Sequence, residues 1–167
     1  MFGMRRVINN WYWTMAHILH LSLLLNCAGL KFFSEPKSWI DALEQCQNNN
    51  SSLVEIHNES VRMAVDNLLE NKIPNMTDGV WIGLERPIFG CIIPWLWTTG
   101  QTRVCIPQWN VSHPVDRFNN HCGKIIWVEE LMEFKWLDAN CHLKLPFICQ
   151  NQTKTTHKIC TSDPTVR

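Results

Sequence analysis

The chain has 167 residues, enough for one domain with a true core and crowded for two. Its 15 Lys and Arg balance its 15 Asp and Glu with no basic run, so the phosphate-neutralising surface that nucleic-acid binding needs is missing. Nine tryptophans stand against one tyrosine, Tyr12, and indoles in a small cysteine-rich domain serve first as core filling.

At the N-terminus, Arg5 and Arg6 precede an apolar stretch over residues 15–25, which ends in the small residues Cys27, Ala28 and Gly29. This grammar predicts a cleaved signal peptide over residues 1–30. His17, His20 and Asn26 interrupt the stretch and it is short for a bilayer, so the alternative is a weak signal anchor over residues 11–30. Sequons at Asn49, Asn50, Asn58, Asn75, Asn110 and Asn151, together with eight cysteines, agree with an oxidising, secretory route.

Residues 31–33 read as a first strand. Ser38 ahead of Trp39, Ala42, Leu43 and Cys46 marks a helix start with apolar residues at helical spacing. Residues 53–56 form a short extended piece. Asn58 then caps a second helix in which Val61, Ala64, Val65, Leu68 and Leu69 line one face, and Pro74 stops it. Val80, Trp81, Ile82, Gly83 and Leu84 form an apolar strand. Residues 85–121 are loop-rich, with Pro87, Pro94, Pro107 and Pro114, before closing strands at 124–128, 134–136 and 147–150. Two helices beside antiparallel strands make an α+β domain. The tail, residues 151–167, is polar and expected to be disordered; residues 151–155 faintly echo 34–38, as the remnant of a second tandem domain would.

Eight cysteines permit many pairings. Cys91 and Cys105 bracket a segment with Pro94 and Gly100 as turn formers, which points to a hairpin-closing bridge. A zinc site built from His121, Cys122, Cys141 and His142 lacks Cys-x-x-Cys spacing and conflicts with an oxidising route. No Gly-x-Ser-x-Gly elbow, phosphate loop or His-Glu-x-x-His helix is present, so catalysis is not expected.

Cys46, Cys122, Cys141 and Cys149 frame the segment from Trp81 through Leu84 and the closing runs at 136–141 and 145–149. In this order and spacing, residues 31–150 resemble the C-type lectin-like domain. The resemblance implies a C-type lectin-like fold, with two helices flanking antiparallel sheets and a long loop region that carries the ligand site. It also implies the bridges Cys46–Cys149 and Cys122–Cys141. Cys27 leaves with the leader, and Cys160 is then unpaired by count, which points to a covalent dimer or to a chain that has lost part of a partner module.

The resemblance sets a chemical test as well. Sugar-binding members hold calcium through a Glu-Pro-Asn or Gln-Pro-Asp loop, a later acid and a Trp-Asn-Asp triplet, because this ion needs several hard oxygen donors. Here His113, Pro114 and Val115 occupy the loop positions, Asn120 the later acid, and Trp136, Leu137 and Asp138 the triplet. Pro114 keeps the turn, with the cis bond that the resemblance implies. Only Asp138 is a carboxylate in register. Valine and leucine side chains donate no oxygen and imidazole is a poor calcium ligand, so the matching site is read as lost and no cofactor is expected.

Candidate ligand-binding residues are His113, Asp116, Asn119, Asn120 and Asp138; the competing reading makes Asp116, Asn119 and Asn120 solvated loop residues and Asp138 the holder of a turn. His113 invites a pH-switch reading as an imidazole, set against the plainer reading of a surface loop histidine. Glu129, Glu130 and Glu133 read as a solvated turn. The expectation is a non-enzymatic extracellular recognition module for a glycan or protein ligand on a cell surface or pathogen. Alternatives are a lectin with an atypical or calcium-independent site, and a signal-anchored receptor ectodomain of the natural-killer type.

Overall fold

The computed structural model describes residues 29–73, 76, 78–89, 94–99, 104 and 108–151. Residues 1–28 of the leader, with Cys27, and Asn75, Cys91, Cys105, Cys160 and the tail beyond Asn151 lie outside the described residues, while Leu30, read as the leader's last residue, begins the first strand. Strand β1 (Leu30–Lys37) ends at Ser38, whose Oγ accepts the Asp41 N–H at 3.3 Å and so caps helix α1 (Trp39–Asn48). Trp39, Ala42 and Cys46 recur at helical spacing and form its buried stripe. After β2 (Ser51–Leu53), Asn58 caps α2 (Glu59–Glu70) by accepting the Val61 N–H at 3.0 Å, and Val65 and Leu69 are buried. Strands β3 (Val80–Glu85), β4 (Leu96–Trp97), β5 (Cys122–Val128), β6 (Glu133–Ala139) and β7 (Leu145–Asn151) follow.

The strands form one sheet in the order β1-β7-β3-β5-β6, with β2 added to β7 and β4 to β3. Most pairs are antiparallel, but β3 and β7 run parallel where Trp81 faces Phe147, so the sheet is mixed rather than wholly antiparallel. The long excursion between these two strands supplies the crossover that a parallel pair requires. Strand β4 falls in the stretch read from sequence as loop. Two residues are too few to display an alternation, and only the pairing of Leu84 with Trp97 and Glu85 with Leu96 defines it.

Strand β3 is buried on both faces, which explains its unbroken apolar run. Trp81 joins Trp39, Ala42, Leu145 and Phe147 in one core, while Ile82 and Leu84 join Val65, Leu69, Trp97, Trp136 and Ile148 in the other. Gly83 sits where chains cross: a Cβ there would meet Leu53 O at 2.8 Å and Thr98 Oγ1 at 2.7 Å. Its N–H donates to Val54 O at 2.8 Å and its carbonyl accepts from Thr98 N at 3.0 Å. Trp39, Trp81, Trp97 and Trp136 are buried, whereas Trp95, Trp109 and Trp127 are half-buried.

Disulfides join Cys46 on α1 to Cys149 on β7, and Cys122 at the start of β5 to Cys141 beyond β6. Glu55, a buried carboxylate between β2 and α2, accepts from Thr99 N at 2.6 Å and Thr99 Oγ1 at 2.7 Å, and its other oxygen lies 2.7 Å from His57 Nε2. It fastens the β2–α2 connection to the turn after β4.

Candidate functional site

Along β6, Phe134, Trp136 and Asp138 alternate onto the buried face, so the strand's own period drives an acid into the interior. A carboxylate removed from water must be matched by donors, and the long loop supplies them. The loop zips onto β6 first, with Trp136 N donating to Gln108 O at 2.8 Å and Asn110 N donating to Trp136 O at 2.9 Å. It then turns through a cis His113–Pro114 peptide and lays its backbone over the acid.

Asp138 is the centre of the arrangement, its side chain wholly removed from solvent. Oδ1 lies 2.6 Å from His113 Nδ1 and accepts Val115 N–H at 3.0 Å. Oδ2 accepts Asp116 N–H at 3.0 Å and Asn120 Nδ2 at 3.0 Å. An ionised carboxylate offers about four lone-pair sites, and four donors fill them here. Burial by itself pushes this carboxyl up; the donation from His113, the amides of Asp116 and Val115, and Asn120 outweigh it, so the group is held below the ordinary carboxylate value.

Asp116 and Asn119 do a different job. Asp116 Oδ1 accepts the N–H groups of Phe118 at 2.9 Å and Asn119 at 3.1 Å, and Oδ2 accepts Asn119 Nδ2 at 2.8 Å. These bonds, the Asn119 side chain foremost, hold the Asp116 carboxyl below its ordinary value. The pair builds a local turn. Of the five candidates, His113, Asn120 and Asp138 therefore converge side chain to side chain, Asp116 reaches Asp138 through its backbone, and Asn119 reaches only Asp116.

Two residues outside the five candidates complete the frame, Arg86, which sequence reasoning did not single out, and His121, which it weighed only as a zinc ligand. Arg86 leaves the end of β3 with its side chain buried, and its Nη2 donates to Asp116 O at 3.1 Å and Asn120 O at 3.0 Å. Its guanidinium lies over the Trp95 ring at 5.2 Å. His121 bridges the same seam, with Nε2 3.0 Å from Phe118 O and Nδ1 3.3 Å from Arg86 O. A lone arginine closing an apolar strand was the available signal; nothing in the sequence pairs it with residues thirty positions later. Outward from the polar centre, Val111, Val115 and Phe118 are 80%, 61% and 82% exposed.

The carboxyl of Asp138 makes the domain acid-sensitive in a defined direction. Its folded-state value lies below the unfolded one, so its stabilisation is present above the unfolded carboxyl range, about pH 4, and is lost as pH falls through the folded value. Melting temperature should drop on acidification below that range, and Asp138→Asn should melt lower at neutral pH with a shallower acid dependence. Parallel acid slopes for the two proteins would contradict this role.

Among known families, residues 35–151 match the lectin C-type domain. Lithostathine of Bos taurus is 29% identical over 122 residues, covering 71% of this chain and 67% of that protein. C-type lectin BfL-2 of Bungarus fasciatus is 31% identical over 123 residues, covering 72% of this chain and 74% of its own. The crystal structure of human lithostathine superposes with a TM-score of 0.61 at 25% identity, covering 74% of this chain and 83% of that one.

Proposed function

We propose that this chain, which belongs to the lectin C-type domain family, recognises its ligand outside the cell without calcium at the position where sugar-binding members hold it. It is a non-enzymatic recognition module of the C-type lectin-like class. One observation carries the calcium-independent reading: the single in-register carboxylate, Asp138, has its oxygens saturated by His113, Val115, Asp116 and Asn120. The donor set does not fit the ion. Val115 and Leu137 offer no side-chain oxygen, and among the described residues no three His, Cys, Asp or Glu side chains gather to hold a metal. His113 and the loop amides take over the loop-fastening that a cation would otherwise supply.

The ligand we favour is a protein surface. The polar side chains around Asp138 are spent on one another, while Val111, Val115 and Phe118 present apolar groups outward beside the exposed Ser112, Arg117 and Asn119. The two disulfides support the extracellular setting. Among the described residues no helix is long and apolar enough to cross a membrane. N-terminal sequencing of protein recovered from medium distinguishes a cleaved leader from a signal anchor.

A glycan array run in calcium and in chelator tests the reading. No chelator-sensitive binding is expected. Binding that survives chelation would keep calcium independence and move the ligand to carbohydrate, whereas binding lost in chelator would overturn the proposal. Stability supplies a second readout. A ligand confined to the folded state adds about 2.7 kcal/mol at a hundredfold excess over its Kd, so melting curves in millimolar calcium and in chelator should coincide. Asp138→Ala should lower both equally; a calcium-dependent rise that this substitution abolishes would restore the metal site.

A further inference from the structure

The side chain of Asn58 is used at one end only. Its Oδ1 caps α2 on the Val61 N–H, and among the described residues no hydrogen bond engages its Nδ2. Asn58, Glu59 and Ser60 form a sequon, and both Asn58 and Ser60 are exposed. The sequons at Asn49 and Asn50 differ, because their hydroxyl residues, Ser51 and Ser52, are buried at the start of β2. Ser51 Oγ donates to Cys46 O at 2.7 Å, and Asn49 Nδ2 is already committed to Gln45 O at 2.8 Å. Beside Asn58 lies a shallow, open depression of about 20 Å³ lined by Ile56, His57, Asn58, Glu59, Arg62 and Gln108.

We propose that Asn58 carries an N-linked glycan whose first sugar ring lies over this depression. At about 20 Å³ the depression is far too small to enclose a free small molecule, whose sites typically span about 300–1,000 Å³. A covalently tethered ring does not face the same association cost, since attachment has already removed most of its translational freedom. The lining combines the buried aliphatic Ile56 and the imidazole of His57 with the polar side chains of Glu59, Gln108 and Arg62, the last already bonded to Glu59 and Asp66. Because the helix cap uses Oδ1, modification at Nδ2 leaves α2 capped.

The transfer is a displacement at the sugar's anomeric carbon. Asn58 Nδ2 forms the new C–N bond as the C–O bond to a lipid-diphosphate-linked oligosaccharide breaks. The lipid diphosphate departs with the bonding pair, and the amide loses one proton to the transferase. No oxidant or reductant is needed. The inference rests on the secretory reading, which places the chain where such donors are found.

The full chain with its own N-terminus, expressed in mammalian cells, allows the test by glycopeptide mass spectrometry and melting before and after enzymatic glycan removal. Asn58 should be occupied. Ser60→Ala and Asn58→Asp should each lose one glycan, and the aspartate, which can still cap the helix, separates sugar loss from cap loss. Glycan removal should lower the melting temperature of the parent protein more than that of Ser60→Ala. A bare Asn58 in a chain glycosylated elsewhere would overturn the site alone. A chain bearing no glycan at all would overturn the secretory reading with it, and equal shifts on glycan removal would overturn the packed ring.

Discussion

Replacing Cys149 with serine is expected to abolish secretion of folded protein. Its bridge to Cys46 closes a separation of 103 residues and ties the first helix to β7, the strand that pairs with β1, β2 and β3. A closed loop of that size restricts the unfolded chain by about 4.7 kcal/mol in the chain-entropy account, and loss of a native bridge from a small secreted domain typically costs about 2–5 kcal/mol. Such a loss consumes much of the roughly 5–15 kcal/mol by which a domain is stable at all. Cys46 would in addition be left as an unbridged thiol in a fully buried position. Cys141→Ser opens a separation of only 19 residues, so it should be the milder change. Quantifying secreted protein and its melting temperature for both variants checks the order; wild-type secretion of Cys149→Ser, or a larger loss for Cys141→Ser, would contradict it.

Trp81→Ala is expected to destabilise the domain by about 3–5 kcal/mol, the usual cost of truncating a buried tryptophan to alanine. Trp81 has no exposed surface and packs between α1 and β7 against Trp39 and Phe147. Its Nε1 also donates to Lys37 O at 2.9 Å, which holds the end of β1. Trp81→Phe separates the two contributions, since it keeps most of the ring while leaving that carbonyl without its donor, at a cost on the order of 1–3 kcal/mol. Denaturant unfolding of the three proteins should rank wild type above Trp81→Phe above Trp81→Ala. An unchanged midpoint for the alanine variant would mean that the site collapses without penalty and that β3 is not the strand on which the cores are built.

The sequence by itself determined the elements whose physics is local. Ser38 and Asn58 cap helices because their side chains reach an N–H three residues on, and the apolar residues behind them repeat at helical spacing. Val80 to Leu84 reads as a strand because both its faces are buried, and Gly83 stands within it because other backbone passes too close for a Cβ. The family resemblance, carried by cysteine order, reached as far as the fold. Tertiary structure alone decided the rest. β4 exists only through pairing with β3, and the parallel contact of β3 with β7 joins segments far apart in the chain that local preference does not bring together. The site shows the same division. The sequence shows which oxygen donors are missing around Asp138, since residue type is enough to say that valine and leucine cannot ligate an ion. What Asp138 does instead depends on four donors from residues 18 to 25 positions away, and Arg86 joins the frame across 30 and 34 positions. A buried charge takes whatever partners the folded chain delivers, and no periodicity along the chain encodes that delivery.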